Sequence, residues 1–155
     1  MGHGIGHVPC WPHGAQCEPD QSDPRRDGDG IAELHKIFLP GLNSPFGMSL
    51  IGDKVYVANT DAIVAFPYVG GETSITAPVE TIALLPAGPI NHHWTKDIMA
   101  SADGMKLYAT VGSNSNVDEN GIKAETSRAA VLEVDLVTHQ TSVFASGLRN
   151  PNGLA

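Results

Sequence analysis

The most constraining feature of this chain is that part of it repeats. Ile98-Met-Ala-Ser-Ala-Asp-Gly-Met-Lys-Leu-Tyr-Ala-Thr-Val111 follows the pattern of Met48-Ser-Leu-Ile-Gly-Asp-Lys-Val-Tyr-Val-Ala58. Ala130-Val-Leu-Glu-Val134 then follows Ala62-Ile-Val-Ala-Phe66, and Thr141-Ser-Val-Phe-Ala145 follows Thr81-Ile-Ala-Leu-Leu85. These segments are short, rich in β-branched and aromatic residues, and end at Gly, Asn or Asp, as strands do. The strands expected in the first unit are Leu34–Leu39, Phe46–Ile51, Lys54–Ala58, Ala62–Phe66 and Val79–Leu85, with turns at Gly52-Asp53 and Asn59–Asp61. A unit of four short strands recurring every 40 to 50 residues or about that marks a β-propeller blade. The sequence therefore predicts an all-β fold, a partial β-propeller of two blades. Pro151-Asn-Gly-Leu-Ala155 starts like Ser44-Pro-Phe-Gly-Met48, as a third blade would. A ring closes with roughly four to eight blades, so the chain reads as a piece of a longer protein. With strand edges and blade faces unpaired, the piece alone is expected to be aggregation-prone and inactive.

Composition agrees with many short strands. The 155 residues are 41% hydrophobic and 6% aromatic, with Gly 17 and Pro 11, so turn formers are frequent. The net charge of −8, with few basic clusters, argues against a nucleic-acid partner. No apolar run approaches the roughly 20 residues of a membrane segment. The start, Met1-Gly-His-Gly-Ile-Gly-His7, has neither the basic beginning nor the apolar centre of a signal peptide. Residues 1–30 hold both cysteines and no strand pattern, and they are expected to form a disordered or irregular extension to a propeller domain of residues 31–155. His3, His7, Cys10, His13 and Cys17 are zinc-binding types, but their spacing matches no compact module, and no metal site or Cys10–Cys17 disulfide is expected.

The chemistry-bearing residues gather around Ile90–Tyr108. Two short apolar runs joined through Ser101-Ala-Asp103-Gly104 predict a hairpin, placing His92 and His93 at the mouth of a strand. An imidazole there can serve as a general base; the alternative is a surface loop without chemistry. The loop Ser113–Gly121 is rich in Asn and Asp. Asn116-Val-Asp118-Glu-Asn120-Gly121 copies the first half of a calcium loop, but its twelfth position is Ser127, where a carboxylate is needed. An Asx-turn loop without flanking helices is the expectation.

From Leu42 to Ala155 the chain resembles the glucose/sorbosone dehydrogenase family of soluble pyrroloquinoline quinone (PQQ) dependent enzymes, and most of all its sorbosone dehydrogenase-like members. The resemblance rests on LNSPFGM with YVANTDAIVAFPY, on INHHWTKDI with SADGMKLYATVGSNSN, and above all on the ending GLRNPNGLA. It implies a six-bladed ring carrying PQQ and calcium, the ion polarising the quinone. It implies that His93, ahead of Asp103 in the turn, is the base that takes the proton of a sugar or hydroxy-aldehyde, and that Arg149 and Asn150 donate hydrogen bonds to the quinone oxygens. His92 is the lesser candidate, because its side chain leaves the opposite face of an extended segment. An electron acceptor and a periplasmic or secreted location follow from the same resemblance.

One departure bears on substrate. Sugar-oxidising relatives carry an acidic residue where this chain has Ser113, so glucose is not the expected substrate. Two other readings compete: a propeller that binds ligands or partners without catalysis, and a calcium-dependent lactone hydrolase on a similar propeller.

Overall fold

The computed structural model describes residues 36–155. Two four-stranded antiparallel sheets, each paired in chain order, make up the fold. The first holds β1 (Met48–Ile51), β2 (Lys54–Ala58), β3 (Ala62–Pro67) and β4 (Glu80–Leu84). The second holds β5 (Ile98–Ala100), β6 (Lys106–Val111), β7 (Ala130–Asp135) and β8 (Thr141–Ser146), with a 3₁₀ turn at Ile122–Glu125 between β6 and β7. The hairpin turns are built as their residues dictate. Gly52 takes φ 60° between β1 and β2, and Gly104 takes φ 68° between β5 and β6, values costly to any residue with a Cβ. In the second turn Asp103 accepts bonds from Ser101 Oγ (2.6 Å) and the Met105 amide (3.0 Å).

Register decides which side chains meet. In the first sheet Tyr56 pairs with Ala65 and Ala58 with Ile63, so these four share a face, while Val57 and Val64 occupy the other. In the second sheet Leu107 pairs with Val134, Ala109 with Leu132 and Val111 with Ala130. The Tyr56 face of the first sheet and the Leu107 face of the second form one buried core, completed by Ile82, Ala83, Leu85 and Ile98. The sheets are thus two blades stacked face to face in a partial propeller. Their inner strands meet at Gly47, whose amide donates to the Lys96 carbonyl (2.9 Å) and whose carbonyl accepts from Ala58. A Cβ at Gly47 would stand 2.5 Å from the Ile98 nitrogen, so only glycine permits this approach.

Three expectations change. Leu34 and His35 lie outside the described residues, and Lys36–Leu39 is not a strand. Instead Phe38, Leu39 and Leu42 cover the Val57–Val64 face of the first sheet, with Ile75 bonded through its amide to the Phe38 carbonyl (2.9 Å). The apolar spacing reported burial, and the burial is face-on rather than in a ladder. β1 starts at Met48 rather than Phe46, because the amides of Phe46 and Gly47 reach Ala58 and the second sheet. The Asx loop is followed at once by the 3₁₀ turn, whose Glu125 carboxylate is bonded back into the loop. Residues 1–30, with their cysteines and three histidines, lie outside the described residues. Among the described residues no helix is long and apolar enough to cross a membrane.

Candidate functional site

Antiparallel pairing brings the start of β5, the end of β6, the start of β7 and the end of β8 to one end of the second sheet. The segments that extend from there are Asn91–Asp97, Gly112–Asn116 and Gly147–Leu154. Together they carry His92, His93, Ser113, Arg149 and Asn150.

His93 Nδ1 lies 2.9 Å from Ser113 Oγ and 3.2 Å from the Ser113 carbonyl oxygen. The Ser113 hydroxyl proton is directed elsewhere, to the Ser115 carbonyl at 2.7 Å. Both atoms facing Nδ1 therefore act as acceptors, so in the neutral ring the proton is on Nδ1 and the lone pair on Nε2. That is the tautomer a general base needs. His92 Nδ1 lies 3.4 Å from Asn116 Nδ2 and 3.9 Å from Glu119 Oε1.

Arg149 and Asn150 join His93 through Gly112 and Ser113. The Arg149 carbonyl accepts the Ser113 amide (2.8 Å). Its guanidinium forks onto Asn116, with Nε 3.4 Å from the carbonyl and an Nη 3.0 Å from Oδ1. A Cβ at Gly112 would stand 2.3 Å from His93 Cβ and 2.7 Å from Asn150 Oδ1. The glycine is thus the gap across which the imidazole segment and the Asn150 amide approach each other. The structure thus brings Asn150 and the Arg149 backbone to the His93 segment, with the Arg149 guanidinium on Asn116.

A polar seam backs this arrangement. Arg128, buried, donates to Asn91 Oδ1 and to the Ala87 carbonyl, both at 2.7 Å. Asn91 Nδ2 donates to Thr60 Oγ1 (3.0 Å) on the first sheet's loop. Thr60 Oγ1 and Lys96 Nζ both donate to the Trp94 carbonyl, the lysine at 3.0 Å. Lys96 is fully buried. Burial, and then the charge of Arg128, pulls its pKa down to about 8. On the loop side, Glu125 accepts from the amides of Asn114 (2.8 Å) and Ser115 (3.2 Å) and from Ser115 Oγ (3.1 Å). Sequence reasoning passed over Lys96, Gly112, Glu125 and Arg128. It read Ser113 only as a missing acid, whereas the residue holds the imidazole. The sole hint was position, since Lys96 directly follows the histidine cluster and Gly112 and Ser113 close β6.

The calcium and PQQ implied by the sequence resemblance fit these residues unequally. Glu119 spends its carboxylate on the amides of Val117 and Asn116 and on its own, which hold its pKa down to about 2. Glu125 is equally committed. Among the described residues no three His, Cys, Asp or Glu side chains gather as a metal site, and these residues do not fit calcium. Of the residues that the resemblance assigns to the quinone, Asn150 lies near His93 across Gly112, while the exposed Arg149 guanidinium is held on Asn116. A cleft lined by Leu84, Leu85, Pro86, Ser127, Leu132, Thr141, Ser142 and Val143 includes none of the three.

No family model matches the chain, and no curated protein matches it. A solved structure does: the holo form of the pyranose dehydrogenase PQQ domain from Coprinopsis cinerea, with TM-score 0.56 and 19% identity over 67% of this chain. The chain shares part of the fold of that domain. It spans 28% of that chain's length.

Proposed function

We propose that this chain supplies the base side of the site in a PQQ-dependent dehydrogenase of the glucose/sorbosone dehydrogenase type, acting on an aldose or a related hydroxy-aldehyde. The observation that carries the reading is the His93–Ser113 pair. It leaves Nε2 as the acceptor on an imidazole that stands beside Asn150. The fold shared with a PQQ domain supports the same reading.

In this reading His93 Nε2 takes the proton of the substrate hydroxyl, while the Nδ1–H stays on Ser113 and keeps the ring from turning. When bound, PQQ supplies a quinone that accepts two electrons from the substrate carbon. Arg149 and Asn150 hold the quinone oxygens, the guanidinium offsetting negative charge and the amide fixing orientation. Ser113 in place of a carboxylate leaves no acid beside His93 to grip a sugar hydroxyl, which favours a smaller or less hydroxylated substrate than glucose. The electron acceptor is a separate partner, and a periplasmic or secreted site of action accords with the reading.

The test is dye-linked oxidation of aldoses and hydroxy-aldehydes by the full-length protein reconstituted with PQQ. Expected is PQQ-dependent turnover that His93→Ala removes while PQQ stays bound. Failure of the wild-type protein to bind PQQ, or turnover of the variant within about threefold of it, overturns the reading, since a lost general base costs about 10² to 10⁴ in rate.

A further inference from the structure

The carboxylate of Asp97 has a role that its place in the sequence does not announce. Oδ1 accepts the Ile98 amide at 3.0 Å, and Oδ2 accepts two consecutive amides from the far end of the described chain, Gly153 at 3.0 Å and Leu154 at 3.1 Å. Among the described residues Asp97 makes no ion pair, so these amides are what the group holds. Its own backbone is fixed in the hairpin: the Thr110 amide donates to the Asp97 carbonyl (2.9 Å), and the Asp97 amide donates to Thr110 Oγ1 (2.8 Å). The carboxylate therefore projects from the rigid start of a sheet and grips a segment that lacks strand structure. Hydrogen bonds to an ionised acceptor are the strong kind.

The segment so gripped is the one that carries Arg149 and Asn150, and the gripping residue belongs to the segment that carries His93. One further bond joins the same two stretches, Thr95 Oγ1 donating to Asn152 Oδ1 (3.2 Å), and from the end of β6 the Ser113 amide donates to the Arg149 carbonyl (2.8 Å). Ser113 and Asp97 thus hold the 149–154 stretch near its two ends, and Asn150 lies over Gly112 between them. We propose that Asp97 is a positioning residue, whose carboxylate pins the Gly153–Leu154 amides and thereby sets Asn150 beside His93. The inference rests on the reading of His93 and Asn150 as one site, but the clamp itself can be measured apart from activity.

The experiment uses the full-length protein with Asp97→Ala, Asp97→Asn and His93→Ala. It follows amide hydrogen exchange at Gly153 and Leu154, PQQ affinity by titration, and kcat and KM for an oxidised substrate. In Asp97→Ala, protection of those two amides and PQQ affinity should each fall about tenfold, with KM under saturating PQQ unchanged. Asp97→Asn keeps the size and one oxygen able to accept both amides but removes the charge that strengthens those bonds, so it should lie between wild type and alanine. His93→Ala should keep amide protection and PQQ affinity while losing turnover. Wild-type protection at Gly153 and Leu154 in Asp97→Ala overturns the clamp. So does a general loss of stability with PQQ affinity intact. Should the alanine variant not fold, Asp97→Asn decides: lost protection upholds the clamp and unchanged protection overturns it. Should wild type bind no PQQ, the functional reading falls and the exchange measurement still decides the clamp.

Discussion

Ser113 Oγ stands 2.9 Å from His93 Nδ1 while its own proton goes to the Ser115 carbonyl. A serine beside a histidine suggests a nucleophile, but a nucleophile must give its proton to the imidazole, and this one gives it to a backbone oxygen. The serine serves the histidine instead. Ser113→Ala should therefore reduce kcat only modestly, because the Ser113 carbonyl at 3.2 Å still holds the Nδ1–H. One neutral hydrogen bond is worth about 1 kcal/mol, so a fall of roughly fivefold is expected, against the loss of about 10² or more for His93→Ala. Steady-state kinetics on both variants checks the ordering, and equal losses would assign the chemistry to Ser113.

Arg149→Lys keeps the charge and loses the fork. The guanidinium contacts two oxygens of Asn116, which a compact ammonium without the planar fork cannot match together. The variant should show slower turnover and an altered spectrum of the reduced cofactor, with the melting temperature close to wild type because the side chain is exposed. A spectrum and rate equal to wild type would remove Arg149 from the quinone contacts.

Gly112→Ala tests the gap between His93 and Asn150. The added methyl meets His93 Cβ and Asn150 Oδ1 well inside contact distance, and His93 O at 3.0 Å, so the two segments must part. Overpacking of this kind costs about 1–3 kcal/mol. Gly121→Ala makes the comparison, since a methyl there meets nothing within 4 Å and only the φ of 79° is strained. Denaturant melts should rank Gly112→Ala as equally or more destabilised, and only Gly112→Ala should lose turnover out of proportion to stability.

Lys96 predicts a pH dependence of stability. Its folded pKa, about 8, lies below the ordinary value of 10.5, so between these values the unfolded chain binds the extra proton. Stability from this group accordingly rises as pH climbs from about 8 toward 10.5, and the burial penalty is fully present below about 8. Lys96→Met, which keeps the volume and removes the charge, should stabilise the fold at pH 7, with the advantage shrinking by pH 9. The Trp94 carbonyl keeps Thr60 as a donor in the variant. Melts of both proteins at pH 7, 8 and 9 provide the check, and a gap that stays constant with pH would mean that Lys96 is not the titrating group.

The repeat made the sheets legible because each strand needs an alternating or β-rich run and a turn, and both are local properties of sequence. His93, Arg149 and Asn150 were singled out as a set only through their motifs. The partners were not. Ser113 lies twenty residues from His93 and Gly153 lies fifty-six from Asp97, as the contacts themselves record, and nothing local to either residue states that the β5–β6 hairpin and the end of β8 converge. Phe38 and Leu39 were misread for a related reason. Alternation reports that a segment has a buried side, while the choice between a ladder and a cover depends on which sheet surface is vacant. Glycine at 112 was silent because what it permits is a distance between two other residues.

The seam between the sheets joins unlike surfaces. The first sheet contributes its Tyr56 side and the second its Leu107 side, and Tyr108, which follows Tyr56 in the repeat, lies on the second sheet's opposite side against Phe144, with ring centroids 4.9 Å apart. A contact made from two different faces is heterologous, so it has a direction in the way that a screw thread has. Repeating the same step from the second sheet would offer its Tyr108 side, with Phe144 62% exposed, to another Leu107-type surface. On the far side of the first sheet Phe38, Leu39 and Leu42 pack against the Val57–Val64 cluster. A symmetric dimer through the Tyr108 side would therefore have to be built from contacts that the seam does not use.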